Sequence, residues 1–174
     1  MIGIGGFEII ADDSEEVAAP GLSPEQTVRR IALAKGKNVS RFCGPDDIII
    51  AADTLVYLDG RPLGKPESPA DAESMLRELS GRRHSVYTGV ALLRGGEEVT
   101  DVVKTDVFFR EISSAEISNY VRSGEPMDKA GAYAAQGAGS VFIERIEGEF
   151  FNVMGLPLCR LSLMLREFGA ISEV

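Results

Sequence analysis

Ile48-Ile49-Ile50-Ala51-Ala52-Asp53-Thr54 is the stretch on which the fold turns. Ile48 to Ala52 is a continuous apolar run, the pattern of a strand covered on both faces. Asp53 is expected at its C-terminal end, the edge of an open α/β sheet where ligands collect. Asp59-Gly60 marks a hairpin turn. Leu55 to Leu63 should therefore form a small two-stranded excursion that returns Lys65, in Gly64-Lys65-Pro66, close to Asp53.

Working outward, Met1 to Ile10 reads as a short strand ending near Ile10. A helix should start at Ser23, with Pro24 at its first position and Gln26 completing a capping box. Val28, Ile31 and Ala32 give that helix one apolar face. Lys35 continues the same row, where a lysine can snorkel from the helix end. A second helix is capped by Ser68 and closed by Gly81, with Ala72, Met75, Leu76 and Leu79 inward. Val86 to Leu93 and Val99 to Phe109 read as a long hairpin turning at Gly95-Gly96. Ser113 and Glu116 open a helix that Gly124 closes, with Ile117, Tyr120 and Val121 buried. Ser140 to Ile146 reads as a strand, and a last helix buries Leu158, Leu161, Leu165 and Phe168. These elements predict an α/β fold, a mixed sheet flanked by helices, not a clean βαβ repeat.

The chain has 174 residues, which suits a single domain over 1–174. The net charge of −9 argues against broad nucleic-acid binding and against an anionic membrane surface. It leaves room for a small phosphorylated ligand, whose field a few lysines and a cation reverse locally. Cys43 and Cys159 are far apart and are expected to be reduced. Neither a signal peptide nor a long apolar run is visible, so a soluble, cytoplasmic protein is expected.

Asp53, placed by a buried strand, suits a general base or a metal ligand; it also suits an aspartate capping a turn. Lys65 in Gly-Lys-Pro and Lys129 in Asp128-Lys129-Ala130-Gly131 read as phosphate-facing or as solvated loop lysines. Gln136 could read a base edge or bond its own loop. Glu16, with Glu15 and Asp13, could hold a divalent cation together with Asp53, or be a solvated acidic surface. The Thr54 and Thr88 hydroxyls could bond a ligand or close turns. His84 is the only histidine and is expected to hold the loop after Gly81; Arg82 and Arg83 are expected at the surface. Nothing matches a catalytic triad, a Walker loop or a dinucleotide fingerprint.

The order of these motifs carries more than any one of them. Ala52-Asp53-Thr54, Gly64-Lys65-Pro66, Leu79-Ser80-Gly81 with His84, Tyr87-Thr88-Gly89-Val90, Asp128 to Tyr133 with Gln136-Gly137, and Gly155-Leu156-Pro157-Leu158 together resemble the Maf family of nucleoside triphosphate pyrophosphatases. Glu15-Glu16 and Ala32-Leu33-Ala34-Lys35 fit as well, so the resemblance runs from about Phe7 to the last helix.

The resemblance implies an inosine-triphosphatase-like fold with a cleft between two lobes. It implies hydrolysis of a nucleoside triphosphate to monophosphate and pyrophosphate, with a divalent cation (Mg²⁺ or Mn²⁺). Asp53 matches the proton acceptor. Glu16, Lys35 and Lys65 match polar cleft residues, Glu16 on the metal side with Asp53, and Lys129 joins the lysines that screen the triphosphate. Thr54 and Gln136 match positions linked to base choice. A branch acting on 7-methyl-GTP has Asp-Gln and Glu at these places, so the chain resembles the branch acting on dTTP, UTP and some modified pyrimidine nucleotides. A homodimer is compatible with the resemblance.

Two departures stand out. Family members carry a strand and Ser-x-Ser-Pro-Arg-Arg ahead of the segment equivalent to Phe7–Ile10, and this sequence starts after that point. Its serine and arginines are expected to be lacking, and losing one such charge-stabilising contact costs roughly 3 kcal/mol in the transition state. Ala134-Ala135 replaces the usual Gly-Ile. The alternative function is a non-catalytic nucleotide-binding regulator linked to septum formation and cell-division arrest; a house-cleaning enzyme for damaged purine nucleotides is a third.

Overall fold

Among the described residues a single sheet organises the fold, with strands in the order β2-β1-β3-β4-β5 and every pairing antiparallel. The strands are β1 (Ile49–Leu58), β2 (Arg61–Leu63), β3 (Arg83–Arg94), β4 (Glu97–Phe109) and β5 (Ile143–Glu147). The helices are α1 (Pro24–Ser40), α2 (Pro69–Leu79), α3 (Ser114–Arg122), α4 (Phe150–Val153) and α5 (Leu158–Glu167). The computed structural model describes residues 6–11 and 21–171. The expected α/β architecture, a sheet flanked by helices, is the one found.

The helix starts follow local chemistry. Ser23 accepts from the Gln26 amide while the Gln26 side chain takes the Ser23 N–H, and Ser113 with Glu116 repeats the device. Ser68 caps α2 through the Asp71 amide. Each satisfies N–H groups that a helix start leaves without partners.

α1 covers one face of the sheet, packing Ala32 on Ile49, Ala91 and Leu93. The approach is close because β3 carries Gly89: a Cβ there would lie 2.3 Å from the Val28 carbonyl oxygen. The other face holds two apolar clusters. In one, Val90 and Leu92 meet Leu161, Met164, Leu165 and Phe168 of α5. In the other, Val56, Leu58, Val86 and Val107 meet α2, α3 and the Tyr133 segment.

Several expectations are corrected. Phe7–Ala11 is not a strand; Phe7 is 71% and Ile9 84% exposed, and no ladder bond joins them to a described residue. Residues 1–5 lie outside the described set. Asp53 is mid-strand, not at a strand end, because β1 continues to Leu58 along the longer β3. The excursion is the far end of β1 turning into β2 at Asp59-Gly60, both with positive φ, as a type I′ turn requires. Ser140–Phe142 belongs to a 3-10 turn (Ala138–Phe142), and β5 starts only at Ile143. The turn closes because the Glu125 carboxylate accepts from the Ala138 and Gly139 amides.

His84 does not hold the loop after Gly81. β3 begins at Arg83, so His84 points inward, 2% exposed, with Nε2 2.8 Å from the Tyr133 hydroxyl and edge-on contacts to Phe109 and Tyr133. Burial pushes its pKa from 6.5 to about 4, against the pull of Asp106, so the ring is neutral. Cys43 and Cys159 are both free thiols. Among the described residues, no helix is long and apolar enough to cross a membrane.

Candidate active site

Successive side chains of a strand point to opposite faces, and β1 uses this at Asp53 and Thr54. Asp53 faces α1. It is 6% exposed, and Lys35 Nζ donates to its Oδ1 at 2.8 Å. Gly89 stands opposite Asp53 in the ladder, where it lets the α1 backbone down onto the sheet. Lys35, two turns beyond Val28, is thereby brought to the carboxylate. Its side chain is 22% exposed, so the pair sits at the edge of solvent.

Thr54 faces the other way, into a polar seam between the two apolar clusters. Its Oγ1 is 2.8 Å from Thr88 Oγ1 and 3.4 Å from the Gly155 carbonyl oxygen. The buried Thr88 hydroxyl donates to the Asn152 carbonyl at 3.2 Å. Asn152 is fully buried, and its Nδ2 donates to the Val86 carbonyl and to Thr105 Oγ1, both at 3.1 Å. Thr105 in turn donates to the Glu149 carbonyl at 3.0 Å. The seam clamps the turn carrying α4 onto β1, β3 and β4.

The segment holding Lys129 and Gln136 approaches the same face. The Gly131 amide donates to the Gly64 carbonyl at 3.0 Å, joining Asp-Lys-Ala-Gly to Gly-Lys-Pro. Gly131 has φ 71°, and a Cβ there would crowd Val56 at 3.2 Å. Lys129 donates to Asp128 at 2.6 Å. That bond, with the charges of Lys129 and Lys65, holds the Asp128 carboxyl below its usual range. Lys65 and Lys129 therefore share one electrostatic neighbourhood.

Gln136 is exposed, on a loop pinned from beneath by Glu125. Burial pushes the Glu125 carboxyl up, but bonds from Tyr120 and the Ala138 and Gly139 amides outweigh it and leave it low. No hydrogen bond joins Gln136 to Thr54 among the described residues.

The structure thus joins Lys35 to Asp53 and links the loops of Lys65 and Lys129, with Thr54 on the opposite face of β1 from Asp53. Glu16, Glu15 and Asp13 lie outside the described residues. Among the described residues, no group of three or more His, Cys, Asp or Glu side chains is arranged to hold a metal ion. A separate hollow of about 640 Å³ lies between the Cys43–Pro45 loop and the β3–β4 turn, and no sequence-predicted site residue lines it. Sequence reasoning missed Asn152 and Glu125. An asparagine inside Phe150-Phe151-Asn152-Val153-Met154 was a usable signal, since a polar residue in an apolar run needs buried partners. Glu125 carried none.

The motif order has counterparts in other proteins. The chain is 44% identical over 165 residues to a dTTP/UTP pyrophosphatase of Methanosarcina barkeri, covering 94% of this chain and 83% of that one. It is 41% identical over 168 residues to one of Caldicellulosiruptor saccharolyticus (94% and 84%) and 43% over 163 residues to one of Bacillus cereus (94% and 85%). The family model described as Maf-like protein matches residues 1–168, which takes in β1 with Asp53, both lysine loops and the Thr54–Asn152 seam; the chain belongs to that family.

Proposed function

We propose that this protein is a pyrophosphatase hydrolysing dTTP and UTP to the monophosphate and pyrophosphate. The names of its relatives supply the substrates, and the Asp53–Lys35 pair is the observation that carries the chemistry. Hydrolysis between the α and β phosphates needs a water molecule to lose a proton as its oxygen bonds to phosphorus, and needs negative charge on the phosphates offset. Asp53 accepts that proton from a strand position held by nine register pairs with β3. Lys35 lies against it, and Lys65 and Lys129, on two loops joined to each other through the Gly131 amide and the Gly64 carbonyl, are the further positive charges for the phosphates.

A divalent cation, Mg²⁺ or Mn²⁺, fits this donor set. Mg²⁺ is commonly held by one or two carboxylates and the substrate's own phosphates, and Asp53, with Glu16, would provide them. When bound, the ion neutralises phosphate charge. Thr54 and Gln136 are the base-reading residues. The substrate is a free nucleotide, since the net charge of −9 opposes a polynucleotide.

The test is pyrophosphate release from dTTP, UTP, CTP, ITP and 7-methyl-GTP, with and without Mg²⁺ or Mn²⁺. Metal-dependent turnover of dTTP and UTP is expected. Folded protein that binds nucleotide without turnover would make it a binding protein.

A further inference from the structure

We infer that His84 is a positioning residue: through its buried hydrogen bond to Tyr133 it sets the segment carrying Lys129 and Gln136 against the same strand that holds Asp53. This inference rests on the proposed reading of Lys129 and Gln136 as residues that contact the nucleotide.

The segment is held in a conformation that it would not keep alone. Gly131 and Ala132 both have positive φ, 71° and 60°. Glycine adopts that region freely, but in alanine the Cβ crowds the backbone there. A strained residue of this kind persists where its surroundings over-determine it. Ala132 is fully buried, and the chain is fastened on either side of it. On one side the Gly131 amide donates to the Gly64 carbonyl at 3.0 Å, which ties in the Lys65 loop. On the other the Tyr133 hydroxyl meets His84 Nε2 at 2.8 Å.

The second tie is the one that reaches the sheet. Among the described residues, no other side-chain hydrogen bond joins residues 129–137 to a strand. Its surroundings are apolar: Phe109 packs edge-on against both rings, with centroids 4.9 Å from His84 and 4.8 Å from Tyr133. His84 is 2% and Tyr133 5% exposed, so water does not replace the bond when one partner is removed. His84 belongs to β3, whose register with β1 places Asp53. One strand therefore sets both the carboxylate and the segment that carries Lys129 and Gln136.

The test measures pyrophosphate release from UTP in Mg²⁺, well below the melting temperature. It compares wild type, Tyr133→Phe, His84→Phe, the double variant and His84→Gln. Each single phenylalanine variant should raise KM about fivefold, with kcat changed less. The double variant should be no worse than either single one, because all three remove the same bond. His84→Gln, whose amide can stand where Nε2 stood, should bring KM back toward wild type. Folded variants that melt earlier but keep the wild-type KM make the bond structural only and overturn the inference. A second measurement needs no variant. His84 is the only histidine, so ¹⁵N-labelled imidazole reports on it alone. Its resonances should move when wild-type protein is saturated with UTP carrying a methylene bridge between the α and β phosphorus atoms. Resonances that stay in place overturn the inference, whether or not the variants fold. Either failure leaves the pyrophosphatase reading standing while wild type turns over UTP. Wild-type protein that does not turn over UTP overturns that reading and this inference with it.

Discussion

Asp53 and Thr54 are adjacent in the chain yet belong to different chemistries. On the α1 face, Asp53 meets a charge, Lys35, at the edge of solvent. On the opposite face, Thr54 enters a seam of neutral hydroxyls and amides that closes on backbone carbonyls. The first arrangement can take up a proton, while the second can only orient one. A strand's two-residue period separates the two tasks, so a single short motif supplies a reactive group to one side and a directional contact to the other.

Asp53→Asn should break the comparison on the charged face alone. Turnover is expected to fall by roughly 10²–10⁴-fold, the usual weight of a general base, while nucleotide binding and the UTP-over-CTP preference in binding persist. Pyrophosphate release and nucleotide titration read the two separately, and full activity in this variant would sink the mechanism. Gly89→Ala strikes the same face through packing, because the new Cβ meets the Val28 backbone at 2.3 Å. Overpacking of this kind costs about 1–3 kcal/mol. It should lift α1 and carry Lys35 away from Asp53, with denaturant melts showing the first effect and turnover the second.

Acid should act on the face that carries Thr54. His84 titrates near 6.5 when unfolded and at about 4 when folded, because burial disfavours its charged form. The unfolded chain therefore binds the extra proton between these values. The stabilisation from the neutral ring is complete above pH 6.5 and is lost as pH falls toward 4, by roughly 3 kcal/mol in all. Melts of wild type against His84→Gln across this range check it; parallel curves would refute it. The smallest effect is expected from Glu125→Gln. It weakens two backbone N–H contacts under the Gln136 loop by about 1 kcal/mol and should raise KM several-fold for all nucleotides with kcat little changed.

The contrast between the two faces also marks what could be read in advance. Ser23, Ser68 and Ser113 declared their helices because a cap is satisfied within three residues. Asp59-Gly60 declared its turn by the same locality. Asp53 was legible as a residue but not as a mid-strand one, since the length of β1 is set by β3 beside it. The strand expected from Ser140 begins late because Ala138–Phe142 is a 3-10 turn, whose first amides, at Ala138 and Gly139, are held by Glu125, thirteen residues from Ala138. His84 gave no sign that Tyr133, forty-nine residues away, would meet it in the core.

By itself, then, the sequence determined the four longer helices, α1, α2, α3 and α5, the Asp59-Gly60 turn, the identity of the polar groups and the motif order that places the chain in its family. These depend on contacts within a few residues or on residue type alone. Only the tertiary structure decided that Lys35 reaches Asp53, that Thr54 meets Thr88 and the Gly155 carbonyl, and that Thr88 meets the Asn152 carbonyl in the same seam. Those relations join residues 18, 34, 101 and 64 positions apart. They exist because an antiparallel sheet brings distant strands into register and because a buried polar group must find its partner wherever the fold puts one.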